Sequence, residues 1–134
     1  MCRFFRRSTF VNIDKPEIDF PEGPVPTDLE IVDLWEGDGP VAKAGDTVSV
    51  HYVGVSFSTG EEFDASWNRG KPLQFELGAG QVIAGWDQGV QGMKVGGRRR
   101  LTIPAHLAYG ERGAGGGRIA PNETLIFVCD LVSV

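Results

Sequence analysis

Only one stretch of this chain carries a helical period, and it is barely two turns long. Val82, Trp86 and Val90 recur every four residues with Ile83 beside them, which gives one apolar stripe on a short helix from about Ala84 to Gln91. Gly85, Gly89 and Gly92 lie along this stretch, and each weakens a helix by up to ~1 kcal/mol relative to alanine. A helix this short and glycine-rich is not stable alone in water, so packing must hold it. What surrounds it repeats with the period of strands.

The segment LEIVDLWEG, from Leu29, reads as a first strand that ends at the turn signal Gly37 to Gly39, reinforced by Pro40. In TVSVHYVGV, Val48, Val50 and Tyr52 share one face while Thr47, Ser49, His51 and Val53 share the other, the pattern of a half-buried strand with Tyr52 pointing inward. Further strands are expected near Glu62 to Asp64, Leu73 to Leu77, Arg98 to Ile103 and Thr124 to Val134. In the last of these Leu125, Phe127, Cys129 and Leu131 share a face, so Cys129 reads as a small core residue and not a nucleophile. The elements together predict an α+β fold, a curled antiparallel β-sheet wrapped around one short α-helix.

A chain of 134 residues suits one domain with a sizeable core. Pro16, Pro21, Pro24 and Pro26 are half of the eight prolines and crowd a region where little regular structure can form. Residues 1–26 therefore read as a flexible N-terminal tail and 27–134 as the domain. A net charge of −5 argues against general attraction to nucleic acid or to an anionic membrane. Alternation along a strand sends Arg98 and Arg100 to the face opposite Arg99, so this run reads as solvated charge and not as a nucleic-acid patch. No apolar run approaches the ~20 residues that span a bilayer, and MCRFFRRSTF has too short an apolar core for a secretory signal. A cytoplasmic monomer with Cys2 and Cys129 both reduced is the expectation.

Conventional catalytic chemistry is sparse. His51 and His106 show no spacing with Asp or Cys that defines a hydrolytic triad or a zinc site, and Ser66 has no histidine near it in sequence. GAGQVIAG lacks the spacing of a nucleotide-binding glycine loop. Neither a metal nor an organic cofactor is expected. GERGAGGGR, Gly110 to Arg118, reads as a flexible loop. What the segment from Glu61 to Gly110 does supply is recurring aromatic and apolar side chains, the material of a hydrophobic wall or of ordinary core packing.

Five motifs weigh between those alternatives: VHYVG (Val50 to Gly54), EEFDAS (Glu61 to Ser66), VIAGWDQGV (Val82 to Val90), AYG (Ala108 to Gly110) and TLIFVCDL (Thr124 to Leu131). In order and spacing they resemble the FKBP-type peptidyl-prolyl cis/trans isomerases over roughly residues 27 to 134. The resemblance implies rotation about X-Pro bonds in peptides and folding protein clients, with an apolar residue preferred before the proline. It implies tacrolimus or rapamycin binding in the same pocket. A noncatalytic peptide-binding or chaperone-like module using the same cleft is the alternative.

Residue by residue, the resemblance puts Trp86 at the pocket floor, with Tyr52, Phe63, Val82, Ile83 and Phe127 as walls and Leu73 where the family often has phenylalanine. It makes the Ile83 backbone N–H and the Tyr109 hydroxyl donors to ligand carbonyls, and leaves Ile119 as the surviving apolar wall before Pro121. Gln81 stands where an acidic residue is common. Asp64, Trp86, Tyr109 and Phe127 take the catalytic assignments. For Asp64, general base, ligand contact and partner of Arg69 and Tyr52 all come into view. Isomerisation has no proton to abstract, so orientation and electrostatics are the role taken.

Overall fold

The computed structural model describes residues 15–18, 23–114 and 119–134. Most of the stretch read as a tail, and part of the loop Gly110 to Arg118, lie outside the described residues. Six strands build one antiparallel sheet: β1 (Glu30–Trp35), β2 (Thr47–Ser56), β3 (Glu62–Ala65), β4 (Leu73–Glu76), β5 (Arg98–Ile103) and β6 (Leu125–Ser133). Their order is β1-β5-β6-β2-β3, with β4 also paired to β2. One helix, α1 (Ala84–Gly89), is found among the described residues, and it is too short to cross a membrane.

The long strand β2 organises the site. Its first half pairs with β4, with Val50 opposite Leu73, and its second half pairs with β3, with Val53 opposite Ala65. β3 and β4 are therefore successive parts of one edge, and between them the chain leaves the sheet through a 3-10 turn, Ser66–Arg69. That detour brings polar side chains to the rim of the concave face.

The concave face is the core. Val48, Val50, Leu101, Ile103, Leu125, Cys129 and Leu131 are essentially closed to solvent, and Trp86 and Val90 press onto them from α1 and its end. A fully buried aliphatic side chain of this kind contributes ~1.5–3 kcal/mol. The glycines of α1 make the contact possible. A Cβ on Gly89 would stand 2.7 Å from Leu101 Cδ2, so the backbone itself lies against β5. Packing holds the helix, as its low propensity requires.

Two expectations need correction. β2 is buried on both faces in its second half: Val53 and Val55 join Ala65 and Ile126 in a second cluster, covered by Ile18, Phe57 and Trp67. Nearby, Lys15 bonds Glu62 at 2.9 Å and Asn68 at 3.1 Å. Nor is the arginine run simply solvated. Arg98 is buried and pairs with Asp130 through hydrogen bonds of 2.6 and 2.8 Å, while Arg99 reaches Asp33 and the carbonyls of Gly89 and Gln91. Buried guanidinium groups persist where fork-shaped pairing satisfies them.

Candidate functional site

A cavity of about 160 Å³ opens at the rim of the concave face, lined by Tyr52, Phe63, Asp64, Leu73, Gln81, Val82, Ile83, Trp86, Tyr109 and Phe127. Every neighbouring element contributes. Tyr52 comes from β2, Phe63 and Asp64 from β3, Leu73 from β4, Trp86 from α1 and Phe127 from β6, while Val82 and Ile83 precede the helix and Tyr109 follows a short 3-10 turn. Nine of the ten residues named from sequence thus meet around one space. Ile119 does not line it: buried in the core, it forms an isolated β-bridge with Ala114.

The aromatic side chains meet edge to face. Trp86 stands at 81° to Tyr52 with centroids 4.9 Å apart, and at 87° to Phe127 with centroids 5.3 Å apart. Phe63 meets Phe127 at 89° and 5.6 Å. Such pairs contribute ~0.5–1.5 kcal/mol beyond area burial and fix ring orientation. Gly54 permits the arrangement, since a Cβ there would lie 2.7 Å from both Phe127 Cε1 and Phe63 Cζ. The buried Trp86 indole N–H has no hydrogen-bond partner among the described residues.

Polar groups are confined to the edge. Tyr52 donates its hydroxyl hydrogen to Asp64 Oδ2 at 2.5 Å, and Arg69 donates to Asp64 Oδ1 at 2.8 Å and to the Tyr52 oxygen at 2.7 Å. Burial pushes the Tyr52 hydroxyl up to about 12, and its bond to Asp64 adds to the effect. For Asp64, burial alone would raise the carboxyl. The bonds from Tyr52 and Arg69 and the arginine charge outweigh burial and hold it below its ordinary value. Tyr109 is 41% exposed, and its hydroxyl has no partner among the described residues. The Ile83 N–H, just ahead of α1, likewise finds no acceptor there.

Asp87 was not singled out from sequence, yet it ties down the wall. Its carboxylate accepts the N–H groups of Gly78 at 2.9 Å and Gly80 at 3.0 Å, both of which have positive φ, 83° and 78°. The loop that leads to Val82 and Ile83 is thereby fixed to the helix that carries Trp86. The spacing of two positive-φ glycines before a helical aspartate is a signal that was present but unread.

A model of the family described as FKBP-type peptidyl-prolyl cis-trans isomerase matches residues 39–132. The chain belongs to that family. It is 82% identical over 124 residues to the FK506-binding protein of Streptomyces anulatus, covering 92% of this chain and 100% of that protein. It is 53% identical over 121 residues to the probable FK506-binding protein of Corynebacterium glutamicum, covering 90% and 99%. Among solved structures, the crystal structure of AtFKBP13 superposes with a TM-score of 0.73 at 44% identity, covering 81% of this chain and 94% of that one. The sequence resemblance to FKBP-type isomerases is thus borne out, as is the antiparallel sheet with one short helix.

The chemistry of the family fits a site without an exposed nucleophile. An amide rotates over a barrier of ~18–20 kcal/mol because its C–N bond is partly double, and no bond has to break. This FKBP-type isomerase needs only to bind the twisted amide more tightly than the planar one. Among the described residues, the serine–histidine contact near the site involves Ser66, which is fully closed to solvent and out of reach of any substrate.

Proposed function

We propose that the prolyl ring of the substrate seats on Trp86, between Tyr52, Phe63, Val82 and Phe127. The observation that supports this is the perpendicular ring set around Trp86, open to the surface and met by two unpartnered donors, Ile83 N–H and Tyr109 hydroxyl. The donors hold substrate carbonyls while the ring is fixed, which supplies orientation. A twisted amide separates less charge than a planar one, so a poorly solvating wall favours it. Asp64, held ionised by Tyr52 and Arg69, orients the edge and takes no proton.

The relatives from Streptomyces and Corynebacterium are named for binding FK506, and the same cavity here accepts tacrolimus on this reading. Rapamycin, which shares the site in the sequence reading, follows it. The protein acts as a monomer in the cytoplasm on proline-containing peptides and folding clients.

The test is relaxation of an X-Pro peptide from cis to trans, followed without a coupling protease. Acceleration by the intact protein, lowered in folded Trp86→Leu, lowered roughly two- to tenfold in Tyr109→Phe, and abolished by tacrolimus, is the expected result. Full activity in both folded variants would overturn the placement of the ring and its donors.

A further inference from the structure

The back of the sheet carries a row of paired groups that runs into the pocket edge. Trp35 on β1 stacks with the Arg98 guanidinium at 4.5 Å, and Arg98 on β5 grips Asp130 on β6. Asp130 is the register partner of His51 on β2, and His51 stacks on Trp67 with centroids 4.2 Å apart and planes 16° apart. The row ends at Ser66, whose Oγ lies 2.8 Å from His51 Nδ1.

Ser66 is the joint between back and front. Its Oγ accepts the Tyr52 backbone N–H at 2.7 Å. Its own hydrogen has two acceptors in reach, His51 Nδ1 at 2.8 Å and the Tyr52 carbonyl at 3.4 Å, and in the tautomer of neutral His51 that carries its hydrogen on Nε2 the shorter contact takes it. The turn Ser66–Arg69 has no side-chain cap of its own, so Ser66 and Trp67 anchor it, and at its other end Arg69 reaches Asp64 and Tyr52.

We propose that Ser66 and His51 are positioning residues for the isomerase, fixing the turn that delivers Arg69 to Asp64 and Tyr52, and that protonation of His51 loosens this edge. A protonated Nδ1 becomes a donor, so the Ser66 hydrogen must turn to the longer Tyr52 carbonyl contact. The groups facing His51 are Asp130 from β6, with Arg98 of β5 behind it, and the uncharged Ser66 and Trp67 from the turn. Burial places the His51 transition below the ordinary 6.5, although Asp130 opposes the shift. The inference rests on the reading that the Asp64 edge holds substrate.

The experiment pairs kcat/KM for an X-Pro peptide with NMR titration of the same protein from about pH 8 to 5, the range in which histidines change charge. Expected is a fall of roughly two- to tenfold as His51 protonates, the span of one weakened hydrogen bond. The Tyr52 amide and Arg69 Nε resonances move with it. His106→Gln keeps that profile, whereas His51→Gln, which can still accept from Ser66 but does not titrate, is flat. Tyr52 and Arg69 resonances that stay still while His51 titrates, or an acid-side fall that survives in His51→Gln, would overturn the positioning role. Resonances that move while kcat/KM stays flat would support the coupling and count instead against the substrate-holding edge.

Discussion

Gly85 lies so close to Ile103 that a Cβ on the glycine would stand 2.5 Å from Ile103 Cγ2 and 2.7 Å from its Cδ1. Ile103 is fully buried and has no room to turn aside. Helix propensity alone favours Gly85→Ala by up to ~1 kcal/mol. Overpacking a core costs about 1–3 kcal/mol, and here it wins. Gly85→Ala is expected to destabilise the fold by about 1–2 kcal/mol. A fall in the urea midpoint at unchanged slope reads this directly. Since Trp86 is the next residue, kcat/KM should fall as well, and a stabilised variant would show that α1 can move off the sheet freely.

Tyr52→Phe keeps the ring against Trp86 and removes only the hydroxyl shared by Asp64 and Arg69. Both charged partners are more than a third exposed, so water replaces much of what is lost. The stability cost should be about 1 kcal/mol, while the pocket edge loses its order. Peptide kinetics should therefore change more than thermal stability does. A double-mutant cycle with Arg69→Ala separates the two contributions, and additive losses would show that the triad does not act as a unit.

Periodicity made the strands and the helix readable because apolar side chains repeat along one element, and the residues from Val48 to Tyr52 or from Leu125 to Leu131 mark the face that joins the main core, although both strands are buried on their other face as well over part of their length. The site residues came instead from the family resemblance that the motifs around Phe63, Trp86 and Tyr109 carry, and those motifs are legible because they are local patterns. Contacts across long separations left no such trace. Val53 is covered by Trp67 and Ile18 from elsewhere in the chain, and Arg98 finds Asp130 on a neighbouring strand. His51 and Ser66 are 15 residues apart and meet only because β2 pairs with β3. Ile119 was expected on the wall, but its bridge to Ala114 places it in the core, an outcome that depends on loop register.

The Asp64 carboxyl gives a pH signature of definite sign. Its folded value lies below the ordinary 3.8, so the folded state favours the ionised form. The stabilisation it supplies is fully present above 3.8 and disappears as pH falls through the lower, folded value. The stability difference between the protein and Asp64→Asn should be constant from neutral pH down to about pH 5 and shrink at more acid pH. Urea titrations of both proteins across that range check it. A difference that begins to shrink near neutrality would mean that Tyr52 and Arg69 do not hold the carboxylate.

Cys129 tests whether the sheet interior opens. The thiol is fully buried on β6 opposite Arg99, and burial pushes it well above its ordinary value, with Asp130 adding to the effect. Thiolate is the reactive form, so both access and ionisation are denied in the folded state. In a Cys2→Ser protein, a thiol reagent should label Cys129 only through opening, at a rate that rises with urea in step with the unfolding equilibrium. Labelling at the rate of an unfolded peptide in native buffer would mean that β5 and β6 separate readily. The concave wall formed by Phe127 two residues away would then be too mobile to orient a prolyl ring.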